Sequence, residues 1–199
     1  MILDTVPTFT LDTSAVLAGS QSEPEGVHVD RLVEMARVGV IRLAITAGFH
    51  VDQASATPEQ RRRNLEYLNR VETLDVAPGL ARASSDPDPD HPGRVPQWPF
   101  FDGPLVAGPD EERIDQMVQA IVLPPGRRPD EDHRRMKDVH HLVAHRIAGH
   151  DYFVTNDVYM IKRQAQLESA AGIRVVTLVE AASLAAVASG RTGPAAACD

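Results

Sequence analysis

Asp138-Val139-His140-His141-Leu142-Val143-Ala144-His145-Arg146-Ile147-Ala148-Gly149-His150-Asp151-Tyr152-Phe153-Val154-Thr155-Asn156-Asp157 changes periodicity part-way, and that change decides the fold. In its first half, read back to Asp130, Met136, Val139, Leu142, Val143, Ala144 and Ile147 recur at helical spacing. Gly149 stops the helix, and Tyr152-Phe153-Val154-Thr155 reads as a short buried strand that ends near a second carboxylate, Asp157. A helix feeding such a strand is half of a parallel α/β unit. A parallel sheet brings acids so placed to one edge, where hard divalent cations bind. A third acid, Asp12, closes the apolar run Phe9-Thr10-Leu11 near the other end of the chain.

The same alternation continues outward. Residues 8–11 are a predicted strand, followed by a helix starting near Ala15 and capped by Asp12-Thr13-Ser14. A polar turn over 19–26 leads to a helix over 27–38 with Val29, Leu32, Val33 and Ala36 on one side. Gly39 breaks it before a strand over 40–46, and Pro58 opens a charged helix running to about Glu72. Residues 73–77 form a short strand, 111–123 a helix, 159–171 a helix stopped by Gly172, 173–178 a strand and 179–188 a last helix. Strands alternating with helices of this length predict an α/β fold with a mainly parallel central sheet covered on both faces.

One segment departs from this pattern. From 78 to 109 the chain is rich in proline, glycine and aspartate, and structureless stretches longer than about 15 residues are uncommon within compact domains. We read a single domain over 1–190 with an insertion or flap at about 78–129, and a disordered tail over 191–199. Trp98, Phe100 and Phe101 are expected to tether the flap to the core; a base-stacking platform is the alternative.

With 199 residues, 43% of them hydrophobic and 24% charged, the chain has the composition of a globular protein with a sizeable core. No apolar run approaches a membrane span, no basic-then-apolar leader opens the sequence, and the single cysteine, Cys198, has no partner within the chain. The expected location is cytoplasmic. A net charge of −8 argues against a surface that attracts nucleic acid everywhere, though not against a local basic face. Of the basic clusters, Arg134-Arg135 with Lys137 matters most, because it adjoins Asp138, where phosphate contacts would help.

Clustered carboxylates at strand ends suit metal-dependent phosphodiester chemistry, in which divalent ions stabilise charge on the phosphate oxygens and activate water. Without metal, such acids repel one another and their pKa values rise. Each also has a plainer reading, since aspartate is favoured at helix caps. Asp12 could cap the helix after it, Asp157 the helix before Tyr159, and Asp138 could be a surface residue. His141 and His145 are four apart and share a helix face, as zinc ligands can, but no glutamate of the zinc-peptidase pattern and no cysteine accompany them. His140 is expected at the surface, and His141 beside the acids as a donor or phosphate contact.

Leu11-Asp12-Thr13-Ser14-Ala15-Val16-Leu17 resembles the opening of a PIN domain. Asp138-x-x-His141-Leu142, then Gly149 to Asp157, then Gly172-Ile173-Arg174-Val175 resemble its closing half, so the likeness covers residues 8–56 and 130–182. The resemblance implies a three-layer α/β/α sandwich and a ribonuclease cleaving single-stranded or structured RNA with Mg²⁺ or Mn²⁺. The catalytic acids it implies are Asp12, Asp52, Asp138 and Asp157. Asp52 is the nearest carboxylate after Ile45-Thr46, and if it points elsewhere three acids remain. Asp12, Asp138 and Asp157 are the implied metal ligands, and Ser14, Thr155, His141 and Arg135 the implied substrate contacts. RNA, an antitoxin protein and a second copy of the chain are the partners it brings, with the toxin of a toxin–antitoxin pair as a cellular role.

Two other functions compete. A degenerate domain of this type would bind RNA or a protein without cutting. A phosphatase of the haloacid dehalogenase type also starts from an aspartate after its first strand, but needs a second aspartate where this chain has Ser14.

Overall fold

A computed structural model of the chain describes residues 6–21, 23–54, 56–70, 74–77, 108–123 and 129–191. Trp98, Phe100 and Phe101, residues 78–107 and 124–128 of the segment read as a flap, and the tail after 191 lie outside the described residues. The elements are β1 (Thr8–Leu11), α1 (Thr13–Ser20), α2 (Gly26–Arg37), β2 (Arg42–Thr46), α3 (Gly48–Ala54), α4 (Pro58–Arg70) and β3 (Leu74–Ala77). They continue as α5 (Pro109–Val122), α6 (Pro129–Ile147), β4 (Tyr152–Val154), α7 (Val158–Ile161), α8 (Gln164–Ala171), β5 (Val175–Val176) and α9 (Leu178–Arg191). All strand pairings are parallel, in the order β3-β2-β1-β4-β5. The chain is an α/β protein built as a three-layer α/β/α sandwich.

Strand alternation sorts side chains between the two faces. Phe9, Leu11, Leu43, Ile45 and Val154 point to one core, completed by Val16 of α1, Leu32 of α2 and Leu178 of α9. Phe153 points to the other, against Val118 of α5, Val139 and Leu142 of α6, and Leu167 of α8. Thr10 and Thr46 are fully buried, and both meet imidazoles of α6. Thr46 Oγ1 bonds His141 Nδ1, and Thr10 Oγ1 lies 2.8 Å from His145 Nδ1 and 2.7 Å from His150 Nδ1. A hydroxyl has one proton, so Thr10 donates to one imidazole and accepts from the other. His141 and His145 do share a face, as expected, but they spend it on the sheet. Burial pushes the His145 pKa down to about 3, so this imidazole is neutral in the core.

Three local readings change. The helix expected over 159–171 is two, α7 and α8, because the Arg163 guanidinium takes the Tyr159 carbonyl at 3.2 Å while Arg163 N turns back to Met160 O at 2.9 Å. The strand expected over 173–178 shrinks to two residues because Thr177 and Glu180 form a reciprocal cap that starts α9, which runs on to Arg191 rather than ending at 188. Helix α3, too short to show a periodicity, went unread; it carries Asp52. Among the described residues no helix is long and apolar enough to cross a membrane.

Replacing Thr10 by valine keeps the volume and adds apolar surface, yet it strands two imidazole nitrogens. We expect a loss of about 1–3 kcal/mol in urea unfolding; a neutral or stabilising result would show that these bonds do not hold α6 to the sheet.

Candidate functional site

The strand order reverses at β1: β2 and β3 lie to one side of it, β4 and β5 to the other. Crevices for ligands open at the carboxyl ends of strands at such a switch point. Asp12 follows β1 there, its N–H extending the ladder to Val154 O at 2.9 Å, and Thr155 to Asp157 follow β4.

Asp12 occupies the N-cap position of α1 but makes no capping bond. Its carboxylate is 5% exposed and accepts from Ser14 Oγ at 2.8 Å and Thr155 Oγ1 at 2.9 Å, both on Oδ2. Those hydroxyls are oriented from behind: Asn156 N–H donates to Ser14 Oγ and Asp157 N–H to Thr155 Oγ1, each at 3.0 Å. With that lone pair taken, each hydroxyl proton turns to Asp12. Asp157 divides its roles. One oxygen caps α7 through Tyr159 N at 2.7 Å, and the other accepts from Arg135 Nη1 at 2.9 Å.

The same Arg135 nitrogen lies 2.8 Å from Asp138 Oδ2, so one guanidinium joins the two acids. It also rests on the ring of Tyr159, 3.8 Å from the centroid, with Arg163 on that ring at 3.4 Å. Asp138 is half-buried on α6 rather than at the surface. Burial pushes its carboxyl pKa up to about 6, with the charges of Asp12 and Asp157 adding to the rise and Arg135 opposing it.

Asp52 points toward the same edge of the sheet, into a basic pairing. It accepts from His141 Nε2 at 3.0 Å and Thr13 Oγ1 at 2.8 Å, and Lys137 Nζ lies 3.2 Å away. Burial works against its charge, but the His141 bond and charge, Thr13 and Lys137 outweigh that and hold it below the usual carboxylate range. Burial likewise opposes a charged His141; the Asp52 bond and the charges of Asp12, Asp52 and Asp138 overcome it and hold the imidazole above its usual range. The approach depends on Gly48, where a Cβ would fall 2.9 Å from His141 Cε1. His140, expected at the surface, is half-buried.

The chain matches no protein-family model and no curated protein. The PIN resemblance therefore rests on the residues quoted for it. The eight residues singled out from the sequence lie around one end of the sheet. They fall into two groups: Asp12 with Ser14 and Thr155, coupled by charge to Asp138 and Asp157 under Arg135; and Asp52 with His141. Thr46, which holds His141, was not singled out; a lone hydroxyl in the buried strand Arg42–Thr46 was the available signal.

An all-oxygen donor set suits Mg²⁺ or Mn²⁺, which bind few carboxylates directly and keep several waters. Asp12 makes no ion pair among the described residues, though its charge acts on His141, and its neighbour Asp138 resists ionisation. Against this, no three Asp, Glu, His or Cys side chains among the described residues converge to hold an ion as they stand, and Arg135 joins Asp138 to Asp157. The donor chemistry fits a hydrated divalent ion, and such an ion competes with Arg135.

With a folded pKa of about 6 against an ordinary 3.8, Asp138 contributes stability that is full below about pH 4 and is lost as pH rises through 6. Arg135→Met removes the guanidinium that lowers that value, so the Asp138 midpoint, followed by carboxyl carbon NMR, should move above 6. An unchanged or lower midpoint contradicts the bridge.

Proposed function

We propose that the chain is a metal-dependent ribonuclease acting on single-stranded RNA, with its reacting centre at Asp12, Asp138 and Asp157. The observation that carries this reading is the Asp12 carboxylate: buried at the switch point, released from capping duty, oriented by two hydroxyls and in no ion pair among the described residues. Burying a charge without a partner is costly, and folds tolerate it mainly where a ligand supplies the missing charge.

Asp12 and Asp138 would hold Mg²⁺ or Mn²⁺, with Asp157 alongside; when bound, the ion offsets charge on the phosphate and activates water. Ser14 and Thr155 keep Asp12 aimed. Asp52 and Thr46 engage both ring nitrogens of His141 and fix it beside the acids; released from Asp52, its Nε2 can donate to a phosphate oxygen. Arg135 supplies positive charge at the same edge and, once displaced from Asp138 and Asp157, is a second phosphate donor. A protein antitoxin and a second copy of the chain enter as partners on the resemblance alone.

A non-catalytic, RNA-binding reading has its own support: Arg135, Lys137 and His141 already neutralise three of the four acids. The two readings separate in one assay. With Mn²⁺ and a fluorescent single-stranded RNA, the wild type should cleave. Losing a residue that only orients a ligand costs about 10–100-fold, so Asp12→Asn should cost more than about 100-fold. Asp52→Asn should fall within the smaller range. Cleavage should also rise with pH through about 6, as Asp138 loses its proton to solvent and its carboxylate becomes free to bind the ion. RNA binding without cleavage, or equal cleavage by wild type and Asp12→Asn, overturns the nuclease reading.

A further inference from the structure

Beside the acids lies a cavity of about 150 Å³ bounded by α1, α3 and α4, whose wall includes Thr13 and Asp52. A cavity of about this size accepts one six-membered aromatic ring. Its lining is dominated by amides: Gln21, Gln53, Gln60 and Asn64. Amides offer fixed donors and acceptors side by side, as the edge of a nucleobase requires. Leu17 and Ala56 add apolar surface for the ring.

The amides are set in a defined order. Ser20 Oγ donates to Asn64 Oδ1 at 2.8 Å, and Asn64 Nδ2 donates to Gln53 Oε1 at 2.7 Å. Ser20 Oγ also reaches Leu17 O at 3.2 Å, so this polar chain is anchored on the backbone of α1. It finishes on the Gln53 amide, which lines the cavity. The backbone of Gln53 is held from α4, its carbonyl accepting from Arg61 Nε at 2.9 Å. Gln60 is arranged the same way: its Oε1 accepts from Thr57 N at 3.1 Å, leaving its Nε2 at the mouth. The cavity thus borders two amides, Gln53 and Gln60, each bonded at its carbonyl oxygen.

We propose that this cavity is a nucleobase subsite, holding the base of a nucleotide whose phosphate lies at the acidic edge, with Gln53 and Gln60 donating to acceptors on the base. Thr13 and Asp52 belong to both the cavity and the acidic edge, so one nucleotide can touch the two. The choice of a nucleobase over another small planar amide rests on the ribonuclease reading above.

The test titrates the full chain, without metal, with adenosine, guanosine, cytidine and uridine 5′-monophosphates and with ribose 5-phosphate, following the side-chain NH₂ signals of Gln53, Gln60 and Asn64 by NMR. At least one nucleotide should bind on the order of tenfold more tightly than ribose 5-phosphate and shift the Gln53 and Gln60 signals. Gln60→Leu, at the exposed mouth, and Gln53→Leu, in the wall, should each remove that preference. Gln60→Leu keeps the test informative if Gln53→Leu does not fold. Equal binding of nucleotides and ribose 5-phosphate, or nucleotide binding that leaves these amides unmoved, overturns the subsite. Those results leave metal-dependent RNA cleavage standing, while a wild type that binds nucleotides here but never cleaves RNA refutes the nuclease and not the cavity.

Discussion

Two imidazole–hydroxyl pairs hold helix α6 in register on the sheet, and the acidic edge depends on that register. His141 on Thr46 and His145 on Thr10 are all but fully buried, so each polar atom must find its partner in the protein or pay for isolation. Sliding α6 by one residue would break both pairs at once. An apolar interface of leucines would tolerate small slips; a buried hydrogen bond does not. Because 138, 141 and 145 follow helical spacing, fixing the two histidines also fixes Asp138 beside the ends of β1 and β4.

From that placement follows a division of charge. Asp52, pulled toward Lys137 and His141, is the comfortable acid: its charge is matched and its pKa held down. Asp138 is the uncomfortable one, half-buried, flanked by the charges of Asp12 and Asp157, and relieved only by Arg135. Asp12 has hydroxyls and no ion pair among the described residues. A fold built for stability alone would cap α1 with this aspartate, and the chain does not. The guanidinium over Tyr159 answers part of the excess negative charge and sets the competition any divalent ion must win.

Much of this was legible in the sequence because burial writes itself as periodicity. The parallel sheet, the order of strands and helices, and the nearness of Asp12, Asp138 and Asp157 all followed from apolar spacing and strand ends. Less legible was what depends on single atoms. Capping by Asp12 and capping by Asp157 are identical as sequence, yet only Asp157 caps, since Ser14 and Thr155 hold the other carboxylate. The break between α7 and α8 comes from where one arginine side chain folds back, which no periodicity records. Helix α3 is too short to show a repeat, so Asp52 was found by proximity to a strand end and its pairing with His141 emerged only in three dimensions. The amide-lined cavity was invisible, because its residues come from three helices and share no pattern.

The central claim is that the edge formed by Asp12, Asp138 and Asp157 accepts a divalent cation in competition with Arg135. Paramagnetic broadening of backbone amide signals by substoichiometric Mn²⁺ tests it most directly. The account predicts broadening centred on residues 12, 138 and 155–157, stronger in Arg135→Met and lost in Asp12→Asn. Broadening centred instead on the acids in the first turn of α5, Asp110, Glu111 and Glu112, or a pattern indifferent to Asp12, would contradict it.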